Sequence, residues 1–157
     1  MASTPPEATS GSPPRRNLAT ELRLALTRMA RRLRQEASEG LGPSQVATLS
    51  SVERHGPLTP SRLAELERVQ RPTITRLVAR LEEAGLIART HDPDDGRSCL
   101  VAVTPEGTAL LAQMRKRKDA YVARNLAALG AEDRATLERA ALILERMLER
   151  DLERDTR

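Results

Sequence analysis

At 157 residues, with 39% hydrophobic and 31% charged side chains, the chain has the size of one ordinary domain and enough apolar material for one core. Its 1% aromatic content argues against modules that stack bases on exposed rings, because Tyr121 is the only ring apart from the imidazoles of His55 and His91. Lys and Arg number 26 against 22 Asp and Glu, a formal charge of +4, and with lysine only at Lys116 and Lys118 the other 24 cations are arginine. Arginine suits phosphates and guanine edges, although a coding bias yields the same count.

Residues 1–16 hold Pro5, Pro6, Pro13 and Pro14 among Ser, Thr and Gly, a composition that buries no core and is expected to form a disordered tail. From Asn17 the apolar residues Leu18, Leu22, Ala25, Leu26, Met29 and Leu33 recur at helical spacing, with Arg23, Arg28, Arg31, Arg32 and Arg34 on the other side. Pro43 and Ser44 open a second helix that Gly56 closes. Thr59 and Pro60, an N-cap followed by a first-turn proline, start a short third helix. A break over residues 68–71 precedes a fourth from Pro72, striped by Ile74, Leu77, Val78 and Leu81 and ending at Gly85. Leu86 to His91 and Ser98 to Thr104 are rich in β-formers around the turn sequence DPDDG, which predicts a hairpin. Thr104-Pro105-Glu106 leads into a long helix, and after Gly130 the residues Leu137, Ala141, Leu144 and Leu148 stripe a last one.

Reading a duplex requires a short helix with one face packed and the other carrying hydrogen-bonding side chains. Residues 71–84 meet that description: the apolar stripe lies opposite Pro72, Arg76 and Glu83, flanked by Thr73 and Arg80, with Thr75 nearer the border and Arg71 at the start. An ordinary solvated amphipathic helix has the same pattern, and the hairpin that follows favours the DNA reading. Arg97, just past Asp95 and Gly96, is placed to enter a narrow minor groove, with Asp95 able to hold its guanidinium, though DPDDG is also good chemistry for a plain surface turn.

Residues 59–104 resemble the winged helix-turn-helix of the multiple-antibiotic-resistance regulator (MarR) family, above all in RPTITRLVARLEEAGLI, the wing sequence DPDDGRS and the VTPEG that follows. The implied fold is mainly α with a small β-hairpin wing. It comprises a single domain over 17–150, with a winged helix-turn-helix lobe over 43–104, dimerisation helices over 17–39 and 106–152, and a C-terminal tail over 153–157. The resemblance further implies an obligate homodimer, each lobe reading half of a pseudo-palindromic operator. The helix from Pro72 would enter the major groove and Arg97 the minor groove, with Asp95 orienting Arg97. Two features depart from the family pattern. Glu67 and Arg68 stand where the turn usually has an apolar residue and then glycine, and residues 54–105 carry eight Arg against seven acids, a net of +1, so charge placement matters more than total.

The expected DNA-binding residues are therefore Ser61, Arg62, Arg71, Thr73, Thr75, Arg76, Arg80, Asp95 and Arg97, the first two meeting the backbone at a helix N-terminus. Arg115-Lys116-Arg117-Lys118 reads as a solvated helix face. Family relatives bind small aromatic acids in a crevice that here would draw on Arg23, Met29, His55 and Tyr121, with no ligand class fixed. Cys99 excludes an intramolecular disulfide and a cysteine-based zinc site, and in a wing strand it is expected to be a small buried apolar residue rather than a redox sensor. No metal or cofactor is implied, and an enzyme is disfavoured, since no nucleophile, metal cluster or phosphate loop is present and Glu82 and Glu83 read as a solvated helix end. MASTPPEATSGSPP has no apolar signal region and no later run approaches a membrane span, so a cytoplasmic, nucleoid-associated protein is expected. The sequence thus points to a homodimeric, sequence-specific double-stranded DNA-binding regulator, a repressor released by a small-molecule effector. The alternative is a winged-helix interaction or non-specific DNA-binding protein without ligand response.

Overall fold

The structure is a computed structural model that describes residues 17–38, 40–91 and 98–155. In chain order it contains α1 (Leu18–Glu36), α2 (Pro43–His55), α3 (Pro60–Leu66), α4 (Arg71–Glu83), β1 (Ile87–His91), β2 (Cys99–Val103), α5 (Pro105–Ala127) and α6 (Ala131–Asp155). The last helix therefore runs beyond residue 152, where the tail was expected, because LERDLERD keeps good helix formers to Asp155. No helix among the described residues is long and apolar enough to cross a membrane.

The chain divides after Arg32 into two compact units. In the first, α1 leaves Leu18, Leu22, Leu26 and Met29 exposed, and none of its residues is buried. The second unit holds the core: Leu49 and Val52 of α2, Leu63 and Ala64 of α3, Ile74, Val78 and Leu81 of α4, Ile87 and Val101 of the hairpin, and Leu111 and Met114 of α5. In this unit α6 likewise leaves Leu137, Leu142, Ile143, Met147 and Leu148 exposed.

Local chemistry sets each boundary. The Gly42 N–H donates to Gln45 Oε1 (2.9 Å) at the start of α2, and the Arg62 N–H donates to Thr59 Oγ1 (3.2 Å) at the start of α3. β1 and β2 pair antiparallel with Ile87 opposite Val103 and His91 opposite Cys99. On the other edge of β2, Leu58 and Val101 exchange two backbone hydrogen bonds (3.2 and 2.9 Å), so the loop before α3 anchors the wing root. Thr104 joins three elements: its hydroxyl donates to the Gly85 carbonyl (2.7 Å) and accepts from the Gly107 N–H (3.1 Å), and its N–H donates to the Leu86 carbonyl (3.1 Å). Thr104→Val removes the cap and the tie to Gly85 together while keeping the side-chain shape. It is expected to cost about 1–2 kcal/mol in chemical denaturation.

The turn between α3 and α4 has the Schellman form, with the Val69 N–H donating to the Ala64 carbonyl (3.0 Å) and the Arg68 N–H to the Glu65 carbonyl (3.1 Å). Arg68 occupies the left-handed position at φ 53°, where the family pattern has glycine.

Candidate nucleic-acid interface

Burial of Ile74, Val78 and Leu81 leaves one face of α4 against the core and turns the other outward. On that face Arg71, Thr75, Arg76 and Arg80 are exposed and Thr73 is half-buried. The Arg71 and Arg80 guanidinium groups make no hydrogen bond or ion pair among the described residues, whereas Arg76 Nε donates weakly to the Pro72 carbonyl at 3.3 Å. Thr75 Oγ1 donates to the Arg71 carbonyl (3.0 Å), which uses its proton but leaves the oxygen able to accept. The outward face of the helix thus carries three exposed cations that make no ion pair among the described residues.

Ser61 and Arg62 lie at the start of α3 as expected, but Arg62 Nη1 is paired with Glu65 at 2.9 Å, so its charge is partly met within the chain. A shallow groove of about 390 Å³ lined by Ser61, Glu65, Arg68, Val69, Gln70 and Arg71 joins the two helices. Of these lining residues the sequence points only to Ser61 and Arg71 as DNA contacts, with Arg68 marked solely as a departure from the usual turn glycine. Gln70 is the N-cap residue of α4 yet makes no capping hydrogen bond, leaving its amide exposed at the helix mouth. Its signal was available: glutamine is a poor N-cap beside a first-turn proline, so capping does not explain it. The expected wing residues Asp95 and Arg97 lie outside the described residues.

At the wing base Arg89 Nε donates to Glu82 Oε2 (2.9 Å), with Arg89 Nη1 4.0 Å from Cys99 Sγ. Glu82 is thus exposed at the end of α4, as expected, and also pairs with Arg89 of β1, while Cys99 is half-buried rather than part of the core.

The matching family model is that of the MarR family, over residues 41–99. An HTH-type transcriptional regulator of Mycobacterium tuberculosis is 37% identical over 125 residues, which cover 79% of this chain and 87% of the relative. This chain belongs to the MarR family. The HTH-type transcriptional repressor MdtR of Bacillus subtilis is 31% identical over 121 residues, 74% of this chain and 78% of that protein. The solved structure of a transcriptional regulator from Thermotoga maritima superposes at a TM-score of 0.72 with 25% identity, covering 85% of this chain and 98% of that one. The protein is accordingly a MarR-family transcriptional regulator with a helix-turn-helix DNA-binding fold, mainly helical with a two-stranded antiparallel hairpin.

This MarR-family chain also has a cleft of about 360 Å³ between α2 and α5, lined by Val46, Ser50, Glu53, Arg54, Leu111, Met114, Arg115 and Lys118. At its rim Arg115 grips Glu53 with two hydrogen bonds of 2.7 and 3.1 Å, so the basic run on α5 is tied to α2 at Arg115 rather than wholly solvated. None of the four residues expected to form an effector crevice lines this cleft. Arg23 and Met29 belong to the first unit, His55 ends α2 and Tyr121 lies on α5. The Arg115 hydrogen bonds hold the Glu53 carboxyl below its ordinary value of 4.5, against the opposing effect of partial burial, and raise the guanidinium in turn. A depressed carboxylate adds stability above its unfolded value and loses it as pH falls through the folded one. Unfolding followed from pH 7 downward should show this contribution intact to about pH 4.5 and lost below it, and Arg115→Ala should abolish that component of the acid sensitivity.

Proposed function

We propose that the protein is a homodimeric repressor that binds a pseudo-palindromic operator in double-stranded DNA and is released by a small-molecule effector. The observation that carries the DNA reading is the outward face of α4, where Arg71, Arg76 and Arg80 stand exposed opposite the buried Ile74, Val78 and Leu81. Arg71, Thr73, Thr75, Arg76 and Arg80 are assigned to the major groove, Ser61 and Arg62 to the phosphate backbone, and Arg97, oriented by Asp95, to the minor groove. Dimerisation rests on the apolar residues that α1 and α6 each leave exposed, faces of the kind a second copy covers. Repression is supported by the name of the Bacillus subtilis relative, a transcriptional repressor. An effector reading is supported by the α2–α5 cleft, whose Arg54, Arg115 and Lys118 outnumber Glu53 and suit an anionic ligand. Arg23, Met29, His55 and Tyr121 stay a separate proposal for an effector contact, since none of them lines that cleft.

The test is a gel shift on DNA upstream of the protein's own gene, with and without excess competitor DNA at physiological salt, alongside sedimentation of the free protein. A retarded band that survives competitor, from a protein sedimenting as a dimer, is expected. Equal binding to competitor would instead establish the non-specific alternative, which the net charge of +1 over residues 54–105 would suit.

A further inference from the structure

The chain closes two helices with the same backbone motif and treats them differently. After α4, the Gly85 N–H donates to the Glu82 carbonyl (2.9 Å) and the Leu86 N–H to the Leu81 carbonyl (2.9 Å), with glycine at the left-handed position, φ 70°. After α3 the equivalent position is Arg68, φ 53°, and it is the one non-glycine residue with positive φ among the described residues. A side chain at such a position carries a conformational cost that glycine avoids. Arg68 brings no internal compensation, since its guanidinium is exposed and makes no hydrogen bond or ion pair among the described residues.

The surroundings indicate what the cost sustains. Arg68 lines the groove shared by Ser61, Gln70 and Arg71, on the surface that leads into α4. Both nearby carboxylates are engaged: Glu65 pairs with Arg62, and Ser51 Oγ on α2 donates a hydrogen bond to Glu67 Oε1. Glu67 is half-buried toward α2, while the next four residues, Arg68 to Arg71, are exposed. The turn thus draws its anion inward and presents its cation outward.

We propose that Arg68 is a phosphate contact of the DNA interface and that the Ser51–Glu67 hydrogen bond is the positioning element that presents it. This rests on the DNA-binding reading of α3 and α4. A charge at the turn between the paired helices can fix register on the backbone without reading sequence.

The experiment measures affinity of the full-length protein and two variants, Arg68→Gly and Arg68→Lys, for two duplexes of unrelated sequence between about 50 and 200 mM salt, with thermal melts of each protein. Arg68→Gly is expected to be at least as stable as the parent, yet to bind both duplexes about three- to tenfold less tightly, with a salt slope smaller by about 1 per subunit. Arg68→Lys should keep the parental slope. Ser51→Ala, which releases Glu67 beside the groove, should also weaken binding to both duplexes. An unchanged slope in Arg68→Gly, or a loss confined to one duplex, overturns the phosphate assignment while leaving the DNA-binding reading standing. Failure of the parent protein to bind either duplex overturns both.

Discussion

Gly107→Ala is expected to cost about 3 kcal/mol of stability, lowering the melting midpoint by roughly 6–12 °C, although alanine is the better helix former. Gly107 sits in the first turn of α5, where an added Cβ would overlap the Leu86 carbonyl oxygen and lie 2.8 Å from Val103 Cγ2. Side chains at a surface can give way; here the obstacle is backbone, and that backbone is engaged. The same Leu86 carbonyl accepts the Thr104 N–H, and the Leu86 N–H closes the end of α4 on Leu81. Moving it aside would loosen the joint through which α4, the wing and α5 hold one another. Thermal and urea unfolding monitored by circular dichroism read the loss directly. A change under about 1 kcal/mol would mean that this junction yields more easily than its hydrogen bonds imply.

The expected damage at Gly107 also marks how far local sequence signals reach. Periodicity locates α4, because Ile74, Val78 and Leu81 recur on one side and the structure buries all three. The hairpin is legible because β-formers flank DPDDG, and capping chemistry places Thr59 correctly as an N-cap, its hydroxyl accepting a backbone N–H three residues on. What such signals cannot carry is contact between residues remote in sequence. Arg115 and Glu53 are 62 positions apart, and nothing in a basic run on a helix names the single acid it will grip. Glu82 and Ser51 likewise acquire their roles only once α4 meets β1 and α2 meets the turn after α3. Gly107 reads as a weak helix residue until the Leu86 carbonyl stands over it. Arg68 lies between these cases: its departure from the expected glycine is visible in the sequence, but the left-handed backbone that makes it costly is visible only in the structure.

Arg76→Ala is expected to weaken operator binding by about 1–3 kcal/mol per contact, roughly 5- to 150-fold, and to relax sequence preference at the base pair it meets. The argument is one of position. Arg76 lies on the side of α4 opposite the buried stripe, one turn beyond the helix start, and the only side-chain hydrogen bond it makes among the described residues is the 3.3 Å contact from Nε to the Pro72 carbonyl. Two terminal nitrogens remain to form a fork with a guanine edge. Because arginine and alanine differ little in helix propensity and the site is exposed, the variant should melt with the parent, which isolates the effect in the complex. Arg62→Ala supplies the contrast. That arginine already shares its charge with Glu65 and faces the backbone reading, so its loss should be smaller and uniform across sequences. If Arg76→Ala weakened all duplexes equally, α4 would be lying along the phosphates rather than reading the groove. If it weakened none, the exposed cationic face of α4 would be solvated surface and the operator contacts would have to come from elsewhere on the lobe.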